Sequence, residues 1–412
     1  MSNPTDYDTT LYRLNGLSNI SSRHPGISDK DLGELITESL TGPLADWDIC
    51  WGPHVTQAPN GKAINTMYAA KEKGQESYVI GIAGTNASSL FDWLWEDAFV
   101  GTQVPWIYAA QASAKIALGT ASGLVILQTM TPDTGAAASG TTLAAFLQSL
   151  TDKRISVTIA GHSLGGALAP TLALWLRDTQ GFPGLWDPAE NATVTTMPFA
   201  GPTAGDARFA AHSDEMLPHA KQLPSDTPAS YRYANSLDIA PYVWNEGSLD
   251  ALRTLYQPDI PENTIIDNLV KLAMDAASDG DYTQLTPPDP PWAGTIDQSR
   301  IKPPQPPLEE IDGFLNYLRQ AVYQHTQAYD EYFGLDAAAF QSPPSQISVS
   351  PTVEKLVKEA GGSLPSDVTV SSEPMVQQMV ELAIGRDIAK RADAKGQVDA
   401  LVAAMRRSGS AQ

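Results

Sequence analysis

The sequence predicts an α/β protein with a mostly parallel central sheet covered by helices. Three observations predict it. Short apolar runs rich in β-branched residues alternate with longer Ala/Leu-rich or amphipathic runs between residues 29 and 335. One junction between two such runs, TIAGHSLGGALA at 158–169, places a serine between glycines where a strand should give way to a helix. The chain of 412 residues is 42% hydrophobic and 18% charged, enough to bury a sizeable core and too apolar for global disorder.

The elements follow in order. DKDLGELITESL (29–40) has the spacing of an amphipathic helix. Strand-like runs at 48–56, 64–70 and 77–84 follow, and the polar turn KEKGQE between the last two predicts a hairpin. Residues 88–108 are dense in apolar and aromatic side chains, and 109–130 and 141–150 read as helical. ISVTIA (155–160) is a short apolar strand, and LGGALAPTLALWLRD (164–178) is a helix that contains Pro170. TVTTMPFA (193–200) and SYRYAN (230–235) are further strands. Between 245 and 310 the pattern changes: helical stretches at 248–256 and 262–277 precede eight prolines between 281 and 307, which predict a surface excursion. Helix returns at 308–334, and a Pro/Ser spacer at 342–346 leads to a tail whose residues 374–406 read as helical. The expected organisation is an α/β domain over 1–340, including the Pro-rich insertion at about 245–310, and a C-terminal helical extension over 341–412.

Charge and composition narrow the functional classes. A formal net charge of −21 repels nucleic acid and gives no electrostatic attraction to an anionic membrane surface. The single cysteine, Cys50, excludes an intramolecular disulfide and reads as a small buried hydrophobe. The N-terminus lacks a basic start and an apolar stretch, and no run approaches the length of a membrane span. The expected location is therefore cytoplasmic, or outside the cell by a route independent of a signal peptide. No His/Cys/carboxylate group has metal-ligand spacing, so neither metal nor cofactor is expected.

Gly161-His162-Ser163-Leu164-Gly165 is the one G-x-S-x-G in the chain. Flanking glycines suit a serine on a tight strand-to-helix turn, because side chains there would clash. A phosphate-binding loop would end in lysine, whereas Gly165-Gly166 runs into Ala167-Leu168. A serine nucleophile needs a base, and the base an orienting acid, in the order Ser, Asp/Glu, His for this turn. Of six histidines only His212, His219 and His325 follow Ser163. Asp238 ends YRYANSLD just before Ile239-Ala240-Pro241, where a strand should stop, which leaves His325 as the base.

Four ordered blocks around these residues resemble the class 3 (fungal-type) lipases of the α/β-hydrolase superfamily. They are YVIGIAGTNASSLFDWLWED, the elbow, MPFAGPTAGDARFA with YRYANSLDIAPYV, and YQHTQAYDEYF. The resemblance covers roughly residues 45–335. It implies Ser163, Asp238 and His325 as the catalytic triad, and Thr85 and the Leu164 amide as the oxyanion hole. It also implies a lid or acyl pocket in the aromatic segment, where Phe91, Trp93, Trp95 and Trp106 stand out. Two departures are visible: Ala83 stands where the family has Arg, and Ala200 where it often has Gly. The expected function is a serine carboxylic ester hydrolase, a lipase cleaving acylglycerol-type esters through an acyl-serine. A phospholipase A1 or a short-chain or polyester esterase is the nearest alternative. An acyltransferase with the same triad and a non-catalytic lipid-binding protein are more remote. The expected partners are a lipid or small ester and, transiently, a lipid interface; no protein partner is identifiable.

Overall fold

The computed structural model describes residues 4–58, 60–84, 100–217, 219, 229–286, 290–304, 306, 308–335 and 347–370. Helix α1 (Asp6–Ser18) begins at a capping box in which Thr5 and Asp8 satisfy each other's backbone amides. Helix α2 (Asp29–Ser39) begins at Ser28, whose side chain accepts from the Asp31 amide. Strands β1 (Trp47–Gln57), β2 (Ala63–Glu72) and β3 (Ser77–Ile82) pair antiparallel in turn, and β2–β3 is the hairpin that the polar turn predicts. A long crossover then carries a small hairpin of β4 (Gln103–Pro105) and β5 (Lys115–Ala117), helix α3 (Leu118–Thr129) and helix α4 (Leu143–Gln148). Strand β6 (Ile155–His162) joins β3 in parallel. Helix α5 (Leu164–Thr179) runs through Pro170 and leads to β7 (Ala192–Phe199), parallel to β6.

The resulting sheet has the order β1-β2-β3-β6-β7, antiparallel on the β1 side and parallel through β3, β6 and β7. Residues 229–235 do not form a full strand. They still extend the sheet, with the Tyr231 and Tyr233 amides each 3.0 Å from the Thr196 and Pro198 carbonyls of β7. One sheet face packs on α3 and α5 through Ile80, Ile159, Leu168 and Leu172, and the other on α1 through Leu11, Leu14 and Val79. Burying both faces explains why β3 and β6 read as near-continuous apolar runs.

Helix α6 (Ala207–Met216) follows β7, capped by Asp206. Then come α7 (Glu246–Leu249), α8 (Thr264–Ala277), α9 (Glu309–His325) and α10 (Gln327–Tyr332). Beyond them lie β8 (Ile347–Val349), α11 (Pro351–Glu359) and β9 (Val368–Val370), whose Val349, Val353, Val357 and Val368 join the same apolar cluster as α8 and α9. Residues 374–406, read as a helix above, lie outside the described residues. Among the described residues no helix is long and apolar enough to cross a membrane.

Two expectations are corrected. Residues 109–117 are not α-helical: a 3-10 turn at Ala110–Ala112 leads into β5. Ile116 bridges to Gly205 on one side and Val104 on the other, so tertiary pairing overrides a weak local helix signal. The proline-rich chain is not a free surface excursion either: Trp292 is buried and its amide and carbonyl bond to Ala234 and Ser236 at the sheet's far edge.

Candidate active site

Strand β6 delivers the chain to Ser163, which adopts φ +61 and ψ −124. That backbone region is costly for a residue with a side chain. It is held by close packing: a Cβ on Gly161 would lie 1.9 Å from the Gly165 carbonyl, and one on Gly165 would lie 2.5 Å from that of Ile82. Only glycine fits at either position, which is the physical content of the motif. The Ser163 amide is 3.0 Å from the Phe199 carbonyl, so β7 anchors the turn. Leu164 occupies the first position of α5, where a helix leaves its N–H groups without intrahelical acceptors.

The Ser163 hydroxyl lies 2.8 Å from His325 Nε2. His325 is the last residue of α9, and its Nδ1 lies 2.9 and 3.0 Å from the two carboxylate oxygens of Asp238. All three residues are buried. The carboxylate accepts at Nδ1, so Nδ1 carries the proton and Nε2 is free to accept from Ser163. Asp238 is itself fixed: Oδ1 accepts from the Ala240 amide at 3.0 Å and Oδ2 from the Tyr329 hydroxyl at 2.9 Å. The Tyr329 oxygen in turn accepts from the Asn235 amide at 3.1 Å.

His162 lies beside this line, its ring centroid 4.8 Å from that of His325 and 5.3 Å from that of Tyr329. Burial, with the neighbouring His325 as a second cause, holds its pKa well below the usual imidazole range, so it stays neutral. A second cation beside the base is thereby avoided. Burial also pushes the Tyr329 phenol well up, as does the Asp238 charge, so Tyr329 remains a donor.

The structure thus brings Ser163, Asp238 and His325 together, with Leu164 adjoining. Thr85, Phe91, Trp93 and Trp95 lie outside the described residues. The chain toward Thr85 is described as far as Gly84, where an added Cβ would lie 2.5 Å from the His162 carbonyl, so that chain passes against the elbow. Ala200 takes φ +54, the left-handed region that explains a glycine preference at this position. Trp106 does not belong with a lid. It is buried in the core against Phe209 and Tyr108, and its Nε1 donates to Asp178 Oδ2 at 2.6 Å. Asp178 sits in the last turn of α5, the end opposite Ser163, so Trp106 is about 20 Å of helix away from Ser163. A buried indole needs an acceptor, and Asp178 supplies it.

Tyr329, His162 and Asn235 were not singled out by sequence reasoning. Tyr329 follows His325 by four residues, but the helix breaks at Thr326 between them, so helical spacing alone does not place it beside Asp238. Elsewhere Asp29, His54 and Asp133 come together, but Asp29 is already bonded to His54 Nδ1 at 2.7 Å and to the Val55 and Asp133 amides at 2.9 Å. The cluster reads as a joint between α2, β1 and the loop after α3. Cys50 is half-buried, and burial pushes its thiol up to about 12.

Residues 79–247 match the family model described as Lipase (class 3). The solved M37 lipase is 30% identical with a TM-score of 0.69, and the match covers 82% of this chain and 97% of that one. Rhizomucor miehei triacylglyceride lipase is 19% identical with a TM-score of 0.36, covering 57% of this chain and 72% of that one. Lipase II from Rhizopus niveus is 17% identical with a TM-score of 0.38, covering 60% and 78%. No curated protein matches the chain significantly.

Proposed function

The chain belongs to the class 3 lipase family, serine hydrolases of lipid esters, and from that premise we propose the residues and steps by which it acts. The observation that carries the reading is the line from the Ser163 hydroxyl through His325 to Asp238, with contacts of 2.8 and 2.9 Å. Ser163 Oγ attacks the ester carbonyl while its proton passes to His325 Nε2. The Asp238 carboxylate stabilises the imidazolium that forms. The oxyanion is met by the Leu164 amide at the N-terminus of α5 and by Thr85, each worth about 3 kcal/mol in the transition state. His325 then gives its proton to the departing alcohol, leaving an acyl-serine. Water, deprotonated by the same histidine, attacks the acyl-serine and releases the acid. The balance is one ester and one water to one acid and one alcohol, so the residues named account for every proton.

Within lipid esters, we infer uncharged acylglycerols as the preferred class, because a net charge of −21 opposes approach to anionic headgroups. Labelling with a fluorophosphonate tests the nucleophile. The unaltered protein should label once, and Ser163→Ala should not label and should lose up to about 10⁶ in kcat. Near-normal turnover by folded Ser163→Ala would overturn the reading. A panel of p-nitrophenyl esters from C2 to C16, beside triacylglycerol and phospholipid emulsions, tests the substrate class. Phospholipid cleaved faster than triacylglycerol would replace it.

A further inference from the structure

Helix α9 carries a row of buried amide side chains at four-residue spacing: Asn316, Gln320 and Gln324. An apolar row would be the usual choice for a helix face turned inward. Each amide instead meets the backbone of the Pro-rich insertion. Asn316 Oδ1 accepts from the Lys302 amide at 3.0 Å and its Nδ2 donates to the Lys302 carbonyl at 2.8 Å. Gln320 does the same with Asp297, at 3.3 and 2.6 Å. Gln324 Nε2 donates to the Thr295 carbonyl at 2.7 Å, and its Oε1 accepts from Asn235 Nδ2 at 2.7 Å.

The spacing is geometric. Four residues of helix rise about 6 Å, and two residues of extended chain span about 6.6 Å. Thr295 and Asp297 therefore fall opposite Gln324 and Gln320. Chain that runs beside a helix with no partner strand on that side leaves the backbone groups facing the helix without ladder partners, and side-chain amides supply a donor and an acceptor each.

The same segment is bonded on its other side to the stretch that precedes the acid. The Trp292 amide donates to Ala234 and the Ser236 amide to the Trp292 carbonyl, at 3.0 and 2.9 Å. The Gly294 amide reaches Ser236 Oγ at 3.0 Å. Asn235 and Gln324 close the circuit, one lying three residues before Asp238 and the other one residue before His325. At Gly294 the fit is tight: a Cβ would lie 2.3 Å from Asn235 Oδ1 and 2.9 Å from Leu237 Cγ.

We propose that Pro290–Lys302 is a strap that sets the spacing between Asp238 and His325, with Gln324, Asn235 and Gly294 as its positioning residues. The inference rests on the triad assigned above. The strap touches no reacting atom. It acts by fixing the acid-bearing turn against the base-bearing helix.

Gly294→Ala pushes Asn235 aside, and Gln324→Met removes the amide beside the base. Each should lower kcat by roughly 10- to 100-fold with KM changed less than about twofold, since misplacement on the ångström scale costs rates of that order. Asp238 and neutral His162 face His325, and Tyr329 contacts both of those groups. A loosened Asp238 stabilises the imidazolium less, so the acid limb of kcat/KM should move to lower pH. Gln320→Met, one turn further from the base, should lower the melting temperature comparably and leave the limb in place. Should Gly294→Ala not fold, Gln324→Met decides. An unmoved limb, with activity falling only in step with melting temperature across the three variants, overturns the proposal. Full but slower fluorophosphonate labelling of the variants supports it. No labelling of the unaltered protein overturns instead the triad on which it stands.

Discussion

Tyr329 shows how much of a site can hang on one hydroxyl. Its O–H donates to Asp238 at 2.9 Å in a buried setting, and hydrogen bonds to charged groups are worth about 1.5–3 kcal/mol. Tyr329→Phe should cut kcat by about tenfold or more by letting the carboxylate turn. An unchanged kcat in a folded Tyr329→Phe protein would count against that role. The juxtaposition of Ser163, His325 and Asp238 was legible in the sequence, because the elbow and chain order leave one serine, one acid at a strand end and one histidine. Tyr329 was not, because a phenol four residues past a helical histidine meets the acid only when the helix breaks at Thr326. That break, at φ −124 and ψ −82, is not written in any single residue type.

At the scale of elements, α5 joins two chemistries. Its first residue adjoins Ser163, and Asp178 in its last turn gathers Trp106 Nε1 at 2.6 Å and His212 Nε2 at 2.8 Å. The second cluster ties the loop between β4 and β5 and helix α6 to the core. Trp106→Ser, expected from an aromatic lid to blunt activity at a lipid surface, should instead destabilise the fold by about 3–5 kcal/mol, read by urea denaturation. Wild-type stability in that variant would restore the lid. The Asp178 hydrogen bond is the main reason that the His212 pKa lies above its ordinary value, and Glu215 adds a smaller attraction. A raised folded-state value means that the charged pair stabilises fully below the unfolded pKa of about 6.5 and fades as pH rises through the folded value. His212→Gln should therefore lower the melting temperature more at about pH 5.5 than at about pH 9; equal losses at both would rule the ion pair out as the cause. The parallel strands were legible from their apolar runs. The β4–β5 hairpin was not: β5 is only three residues long, and its second partner, Gly205, lies far away in sequence. The amide row on α9 was visible as Asn and Gln at four-residue spacing. Its meaning needed the proline-rich chain to be placed beside it.

At the scale of the whole molecule, the net charge sets the long-range field that an approaching surface meets. The chain carries 47 acidic and 26 basic side chains, a net charge of −21. Such a body is repelled by anionic lipid and indifferent to a zwitterionic surface. Screening changes the first case only, since the Debye length falls from about 30 Å at 0.01 M salt to about 10 Å at 0.1 M. Lipolysis of tributyrin droplets coated with anionic phospholipid should thus rise severalfold between low and moderate salt. Droplets coated with zwitterionic phospholipid should change little. The comparison holds the ester, the interface area and the triad constant and varies only the long-range field. If salt accelerates both coatings equally, it is acting on the ester surface or on the enzyme's own conformation. Repulsion by net charge would then be the wrong account of its preference. If only the anionic coating responds, replacing exposed acidic residues by their amides should reproduce the effect of salt at low ionic strength. Glu34 and Glu354, each paired on its helix with a lysine, are less suitable sites for this than unpaired acids. Their removal would also take away an i,i+4 contact worth a few tenths of a kcal/mol and confuse stability with charge.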